Sequence, residues 1–221
     1  LSGGAAIADT SPVTVAGGAT LSVGADETVA SLVSGGTISG AGKLTAATYG
    51  FTGGTITSNL GAGTLTQTSG STALDGTADA TAVNINGGTL TLGASDRLAN
   101  GAALTVAGGT LAIGAFSDTV ASVALTSGSI TGGVGVLTST AAFDVQGGTA
   151  SAILGGTAGL TKTGAGTTTL SGANSYTGTT AVNVGQLTLS GGAAIADTSP
   201  VTVAGGATLS VGADETVASL V

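Results

Sequence analysis

The sequence predicts an all-β chain: a parallel β-solenoid of about 19 residues per rung and roughly twelve rungs. Three observations lead there. Glycine recurs at a near-constant interval, the stretches between glycines alternate with period two, and the first 33 residues return unchanged 188 positions later.

The longest period organises the chain. Leu1 to Val33 and Leu189 to Val221 read the same letter for letter, LSGGAAIADTSPVTVAGGATLSVGADETVASLV. The 221 residues therefore hold one full unit, 1–188, and the start of the next identical unit, 189–221. The expected setting is a window on a longer tandem array. The start at Leu1, with neither Met nor a basic, apolar leader, suits a fragment or a processed product. Inside the unit lies a degenerate duplication, near 14–104 and 105–201. Thr14-Val15-Ala16-Gly17-Gly18 recurs at Thr105 to Gly109 and again at Thr202 to Gly206.

The finest period sets the rung. One glycine per cycle runs from Gly17 through Gly35, Gly53, Gly70, Gly87, Gly108, Gly128, Gly147, Gly166 and Gly185 to Gly205, ten steps with a mean of 18.8 residues. A second glycine follows each, for example Gly24, Gly42 and Gly61, so two glycine corners punctuate every cycle. Before the marker glycine stand Val13/Val15, Tyr49/Phe51, Val83/Ile85, Leu104/Val106, Phe143/Val145 and Val201/Val203. After it stand Leu21/Val23, Leu90/Leu92, Leu111/Ile113 and Leu209/Val211. Thr, Ser, Ala or Asn separates the members of each pair, which is the alternation of a strand with one face inward. No stretch has helical spacing, and glycine in a helix interior costs about 1 kcal/mol per residue. Stacked at about 4.8 Å per rung, twelve rungs make a rod near ~55 Å long.

Composition sets the chemistry. Gly (42), Thr (40) and Ala (39) make up more than half of the residues, which by itself suggests disorder. A hydrophobic share of 42% and a mean hydropathy of +0.56 contradict that reading. Glycine does not recur every third position and there are only two Pro, so the chain is not collagen-like. Apolar stretches such as Ala5 to Ala8 and Val134 to Leu137 are broken long before the roughly 18 residues of a membrane span. There is no Cys, His, Met or Trp. Thiolate and imidazole catalysis, disulfides and ordinary zinc or haem sites are thereby excluded. A net charge of −8 with three Lys and Arg residues leaves no basic surface for nucleic acid.

The segment Gly159 to Gly191, GLTKTGAGTTTLSGANSYTGTTAVNVGQLTLSG, carries the most specific motif. Its Leu160-Thr161-Lys162, Gly164-Ala165-Gly166, Leu170-Ser171-Gly172-Ala173-Asn174, Tyr176-Thr177-Gly178, Gly185 and Leu187 follow in characteristic order and spacing. It resembles the autotransporter-associated β-strand repeat, also called the passenger-associated transport repeat, of Gram-negative autotransporter passengers. The resemblance covers about a seventh of the chain. It implies a right-handed parallel β-helix, export to or display on a Gram-negative surface, and a role in adhesion or biofilm formation. It carries no catalytic motif with it.

Thr37 to Leu44 (TISGAGKL) misses the first Gly and the final Ser/Thr of a phosphate loop, Lys162 has no Gly before it, and Thr169 replaces the third Gly after Gly164 and Gly166. Asp26-Glu27, Asp96, Asp118 and Asp214-Glu215 gather near one corner. They skip rungs and lack a repeat-type calcium loop, so a solvated turn is expected rather than a cation site. A β-helical polysaccharide-degrading enzyme needs paired carboxylates in a cleft, with basic and aromatic groups that this chain scarcely has. Thr20-Leu21-Ser22, Thr37-Ile38-Ser39, Thr55-Ile56-Thr57, Thr89-Leu90-Thr91 and Ser129-Ile130-Thr131 place hydroxyls outward. Stacked in register they form a flat ladder similar to the faces of ice-binding solenoids, although threonine fills exposed strand positions for its β-propensity alone. That ladder is expected to break at Thr110-Leu111-Ala112 and at Gln186-Leu187-Thr188.

The function expected from these readings is an extracellular structural and adhesive protein, a rigid β-helical stalk or fibre without catalytic activity. A self-assembling filament or sheath subunit is the alternative, with an ice-binding solenoid and the polysaccharide-degrading enzyme behind it. Expected partners are neighbouring units of the same chain, other copies end to end, and host or biofilm surface components. Nucleic acid and a membrane span in this segment are not expected. No residue is assigned a catalytic, cofactor-binding or metal-ligating role, and no cofactor is expected.

Overall fold

Period-two alternation between glycine corners leaves each rung with an apolar inner edge too small to bury itself, so rungs must stack. A computed structural model describes residues 1–221 and contains strands and turns but no helix. Each strand pairs in parallel with strands one coil above and below, about 19 residues per turn over about eleven turns: a β-solenoid. The twelfth strand of the first face, Ser219–Leu220, begins a turn without completing it.

The first face runs from Pro12–Val15 to Ser219–Leu220. From Pro12–Val15 the pairing steps through 31–34, 48–51, Thr64–Gln67 and Ala82–Ile85 to 103–106. From there it continues through 122–125, Phe143–Val145, Leu160–Lys162 and Thr180–Val182 to Pro200–Val203. Thr14, Thr105 and Thr202 thus occupy the same face, five coils apart each time, and one 188-residue unit spans ten coils. The second face stacks from Thr20–Ser22 to Thr208–Val211.

The inward positions are those that the alternation marks. Tyr49, Phe51, Val83, Ile85, Leu104, Val106, Phe143 and Val145 are buried in one continuous cluster of apolar side chains. Each large apolar side chain so buried stabilises the fold by roughly 1.5–3 kcal/mol relative to exposure. Tyr49 stacks on Phe51 with ring centroids 6.5 Å apart, and Phe143 meets Tyr176 at 6.2 Å. In the outermost coils Val13, Leu21, Val203 and Leu209 are only half-buried and Val211 is exposed, because one side of each has no neighbouring coil.

A third face is the part that alternation does not reveal. It is built from 27–29, 44–46, Asp118–Val120, Val136–Ser139 and Ile153–Gly155, with single bridges through Leu60, Ala78 and Leu98 between them. Two of those bridges, Leu60 and Ala78, fall in the shortest rungs, the 17-residue steps from Gly53 to Gly70 and Gly70 to Gly87. The third, Leu98, falls in the longest, the 21-residue step from Gly87 to Gly108, so rung length does not by itself decide where a full third strand is lost.

The hydroxyl ladder differs from its expected register. Thr20, Thr37 and Thr55 do stack, as do Leu21, Ile38 and Ile56. Ile56 then pairs with Leu74 and through it lines up with Leu92, whereas Leu90 pairs with Thr72 and through it lines up with Gly54. The Thr89–Leu90–Thr91 triplet is therefore displaced by two residues from the triplets below it. Outward hydroxyls consequently form a different file, Ser71, Thr89, Thr110, Ser129, Thr149, Thr169, Thr188 and Ser210, continuous across the expected breaks. Within it Ser129 Oγ and Thr149 Oγ1 share a hydrogen bond of 3.0 Å.

Candidate functional site

Where the third face lacks a full strand, backbone N–H groups at the corner need other acceptors, because an unpaired buried N–H is costly. The acids at this corner supply them. Glu27, buried, accepts from the N–H groups of Ala6 (2.9 Å) and Ile7 (3.0 Å) in the preceding coil. Glu215 repeats the contact in the second copy, accepting from Ala194 (3.0 Å) and Ile195 (2.8 Å). Asp118 Oδ2 accepts from Arg97 (2.8 Å) and Leu98 (3.0 Å). Asp26 Oδ1 takes the Lys43 N–H at 2.8 Å. These carboxylates accept from backbone N–H donors, the reverse of a cation cage. Asp96 lies beside them in a left-handed turn (φ 55°). No three acidic side chains converge. The corner that looked like a solvated turn is in part a buried seam between coils.

Asp118 shows the balance most clearly. Burial raises its pKa above the ordinary carboxylate value, backbone N–H groups of Leu98, Arg97 and Thr119 pull it back, and nearby Asp96 raises it. Its Oδ1 has no partner. Asn174 does the same job with an amide: Oδ1 accepts from the Leu154 N–H at 2.8 Å and Nδ2 donates to the Ala194 carbonyl at 2.6 Å. Asp118→Asn is therefore expected to fold and to keep wild-type stability within about 1 kcal/mol at neutral pH, while Asp118→Ala, which strands two N–H groups, loses about 1–2 kcal/mol in urea unfolding. The raised pKa adds a sign: the folded chain holds the extra proton, so wild-type stability falls as pH rises from the unfolded carboxylate value through the folded one, and Asp118→Asn lacks that fall.

The basic residues are tied down as well. Lys43 Nζ meets Asp79 at 2.7 Å, an exposed pair that raises the lysine pKa first through its hydrogen bond. Arg97 donates to the carbonyls of Asp75 (2.6 Å) and Ser95 (3.0 Å). Lys162, from the strand Leu160–Lys162, points inward with no accessible surface. Its Nζ donates to the carbonyls of Gln146 (3.0 Å), Gly164 and Val184 (3.4 Å), one from its own coil and one from each neighbour. Burial lowers its pKa and Asp144 opposes the shift.

Tyr176 completes the group. Its ring is fully buried at the corner and its hydroxyl shares a 2.8 Å hydrogen bond with Thr180 Oγ1. Thr180 in turn meets Ser199 Oγ at 3.5 Å, and Ser199 donates to the Gly178 carbonyl at 2.5 Å. Gly178 itself allows close approach, since a Cβ there would overlap the Ala158–Gly159 backbone. Gly185 turns with φ +70°, a conformation that glycine adopts without strain.

Lys162, Asn174, Tyr176, Gly178 and Gly185 all lie within a segment of one and a half coils, from Leu160–Lys162 to Gln186–Leu189. A family model, the Passenger-associated-transport-repeat, matches residues 160–190. That segment is a passenger-associated transport repeat. In the passenger repeat, each distinctive polar or aromatic residue binds one coil to the next: Lys162 through carbonyls, Asn174 through an amide clamp, Tyr176 through packing and a hydroxyl relay. The chain matches no curated protein and no solved structure closely enough to carry an argument. No helix is long and apolar enough to cross a membrane. The passenger repeat abuts the second copy of the tandem unit, and its Asn174 and Thr180 reach Ala194 and Ser199 there.

Proposed function

We propose that this chain is a rigid, non-catalytic stalk segment in the passenger of a protein secreted to, or displayed on, a Gram-negative surface, where it supports attachment or biofilm formation. One observation carries the reading: the passenger repeat at 160–190 stacks directly under residues 189–221, so one 188-residue unit runs into the next with the pairing unbroken. Strand Gln186–Leu189 pairs with Thr167–Leu170 below and Thr208–Val211 above. Added units then add length without adding a hinge.

The test is length. Each unit contributes ten coils, about 48 Å at ~4.8 Å per coil. Chains of two, three and four units are expected to show maximum dimensions in small-angle scattering that rise by that increment per unit. Increments well below it, or profiles of beads on a flexible string, would end the stalk reading.

A further inference from the structure

Two of the asparagines in the chain, Asn86 and Asn100, precede glycine. Asn-Gly is the dipeptide in which the following backbone nitrogen most readily reaches the side-chain amide carbon, because glycine brings no Cβ into the approach. The two dipeptides have the same letters but different surroundings. Gly87 N–H donates to the Gln67 carbonyl at 3.3 Å and Asn86 N–H to the same oxygen at 2.9 Å, so this pair is fastened to the coil below. The N–H groups that follow Asn59, Asn174 and Asn183 are held in the same way, with Leu60, Ser175 and Val184 donating to the carbonyls of Thr77, Leu154 and Lys162. Asn84 lies inside the strand Ala82–Ile85.

Asn100 differs because its coil carries a surplus residue. Ala78 is bridged to Leu98 and Ala82 pairs with Ala103, so residues 79–81 of one coil face residues 99–102 of the next. The surplus is extruded as a turn, closed by the Ala102 N–H on the Ala99 carbonyl at 2.9 Å. Its flanks are pinned to the coil below: Ala99 N–H donates to Ala78 (3.1 Å) and Ala103 N–H to Thr81 (3.0 Å). Between them Asn100 and Gly101 are exposed, and neither the Asn100 amide nor the Gly101 N–H is hydrogen-bonded within the chain.

We propose that Asn100–Gly101 is a site of self-modification, at which the Gly101 nitrogen attacks the Asn100 amide carbon. The N–Cγ bond forms, the Cγ–Nδ2 bond breaks, and ammonia leaves with the former backbone amide proton. Water then opens the resulting five-membered imide at either carbonyl, leaving aspartate or isoaspartate at position 100; nothing is oxidised or reduced. Either product exchanges a neutral amide for a carboxylate and takes the net charge from −8 to −9. Isoaspartate also adds one methylene to the main chain, which a turn extruded from the ladder absorbs. This inference rests on the turn alone and is independent of the stalk reading.

Gly101 supplies the control. A Cβ there meets nothing within 4 Å and its φ lies outside the left-handed region, so Gly101→Ala folds without a clash while crowding the attacking nitrogen. The folded chain, the chain in urea and folded Gly101→Ala are incubated in mildly alkaline buffer, and peptide mapping by mass spectrometry follows positions 86 and 100. Isoaspartate is identified by methylation with an isoaspartyl carboxyl methyltransferase and labelled S-adenosylmethionine. In urea the two positions are expected to convert at similar rates. In the folded chain position 100 is expected to convert about tenfold faster than position 86, where a hydrogen bond between coils must break first. Folded Gly101→Ala is expected to convert several-fold more slowly at position 100 than wild type. Equal rates at the two positions of the folded chain overturn the proposal. So does a folded position 100 that stays intact or is unmoved by Gly101→Ala, and so does a preference for position 100 that persists undiminished in urea.

Discussion

Tyr176→Ala is expected to lower the free energy of unfolding by about 4 kcal/mol, the largest loss for any single substitution in the passenger repeat. The ring is fully buried against Phe143, and removing it leaves a cavity in the continuous apolar core. Tyr176→Phe keeps the ring and loses one hydrogen bond, about 1 kcal/mol, since Thr180 Oγ1 still has Ser199. The two variants also separate packing from titration. Burial pushes the Tyr176 phenol up to about 12, the Thr180 hydrogen bond opposes this and Glu215 adds to it. Below pH ~10 the phenol is protonated in both states and the advantage of the fold is complete. Between pH ~10 and ~12 the unfolded chain ionises first, and stability falls by about 1.4 kcal/mol per pH unit, close to 3 kcal/mol in all. Urea unfolding across that range should show a shallower alkaline decline in Tyr176→Phe. The remaining slope includes Tyr49, whose phenol is also raised by burial, and Lys43, raised by its hydrogen bond to Asp79. Equal slopes in wild type and Tyr176→Phe would refute the assignment.

Lys162→Met is expected to cost about 3 kcal/mol although it replaces a buried charge with an apolar side chain of similar length. Buried ion pairs are often replaced by hydrophobic residues at no loss, but Lys162 is not in an ion pair. It serves three backbone carbonyls in three successive coils, and methionine would leave all three without their donor. The sign of the pH dependence is opposite to that of Tyr176. Because burial lowers the lysine pKa, the unfolded chain holds the extra proton over the window below 10.5, and wild-type stability rises with pH through it. Lys162→Met lacks that rise. A neutral or stabilising Lys162→Met in urea unfolding would show that the carbonyls find water instead.

The two substitutions also mark what could be read before the fold was known. Lys162 and Tyr176 stood out as motif letters, and the spacing around them identified the passenger repeat correctly. Their roles were not legible, because the carbonyls of Gln146 and Val184 reach Lys162 only when coils 16 and 22 residues apart are stacked. The acids at 26–27, 118 and 214–215 were visible as a loose cluster. That Glu27 and Asp118 point inward to close a broken ladder depends on the shortness of the third face, which has no periodic signature. The hydroxyl ladder failed for a related reason. Aligning triplets by their marker glycines assumes that every corner has the same length, and a two-residue displacement moves an outward column along the strand without changing which face it lies on.

Sequence alone therefore determined the coil, the all-β class, the inward residues of two faces and the tandem unit of 188 residues. Those properties are local and periodic: glycine corners, alternation and identity of letters each lie within one rung or one comparison of text. Only the tertiary structure decided the third face, the register of the hydroxyl file and the inward clamps of Glu27, Asp118 and Lys162. These belong to contacts between rungs, where the length of each corner sets which residue meets which, and no single rung contains that information.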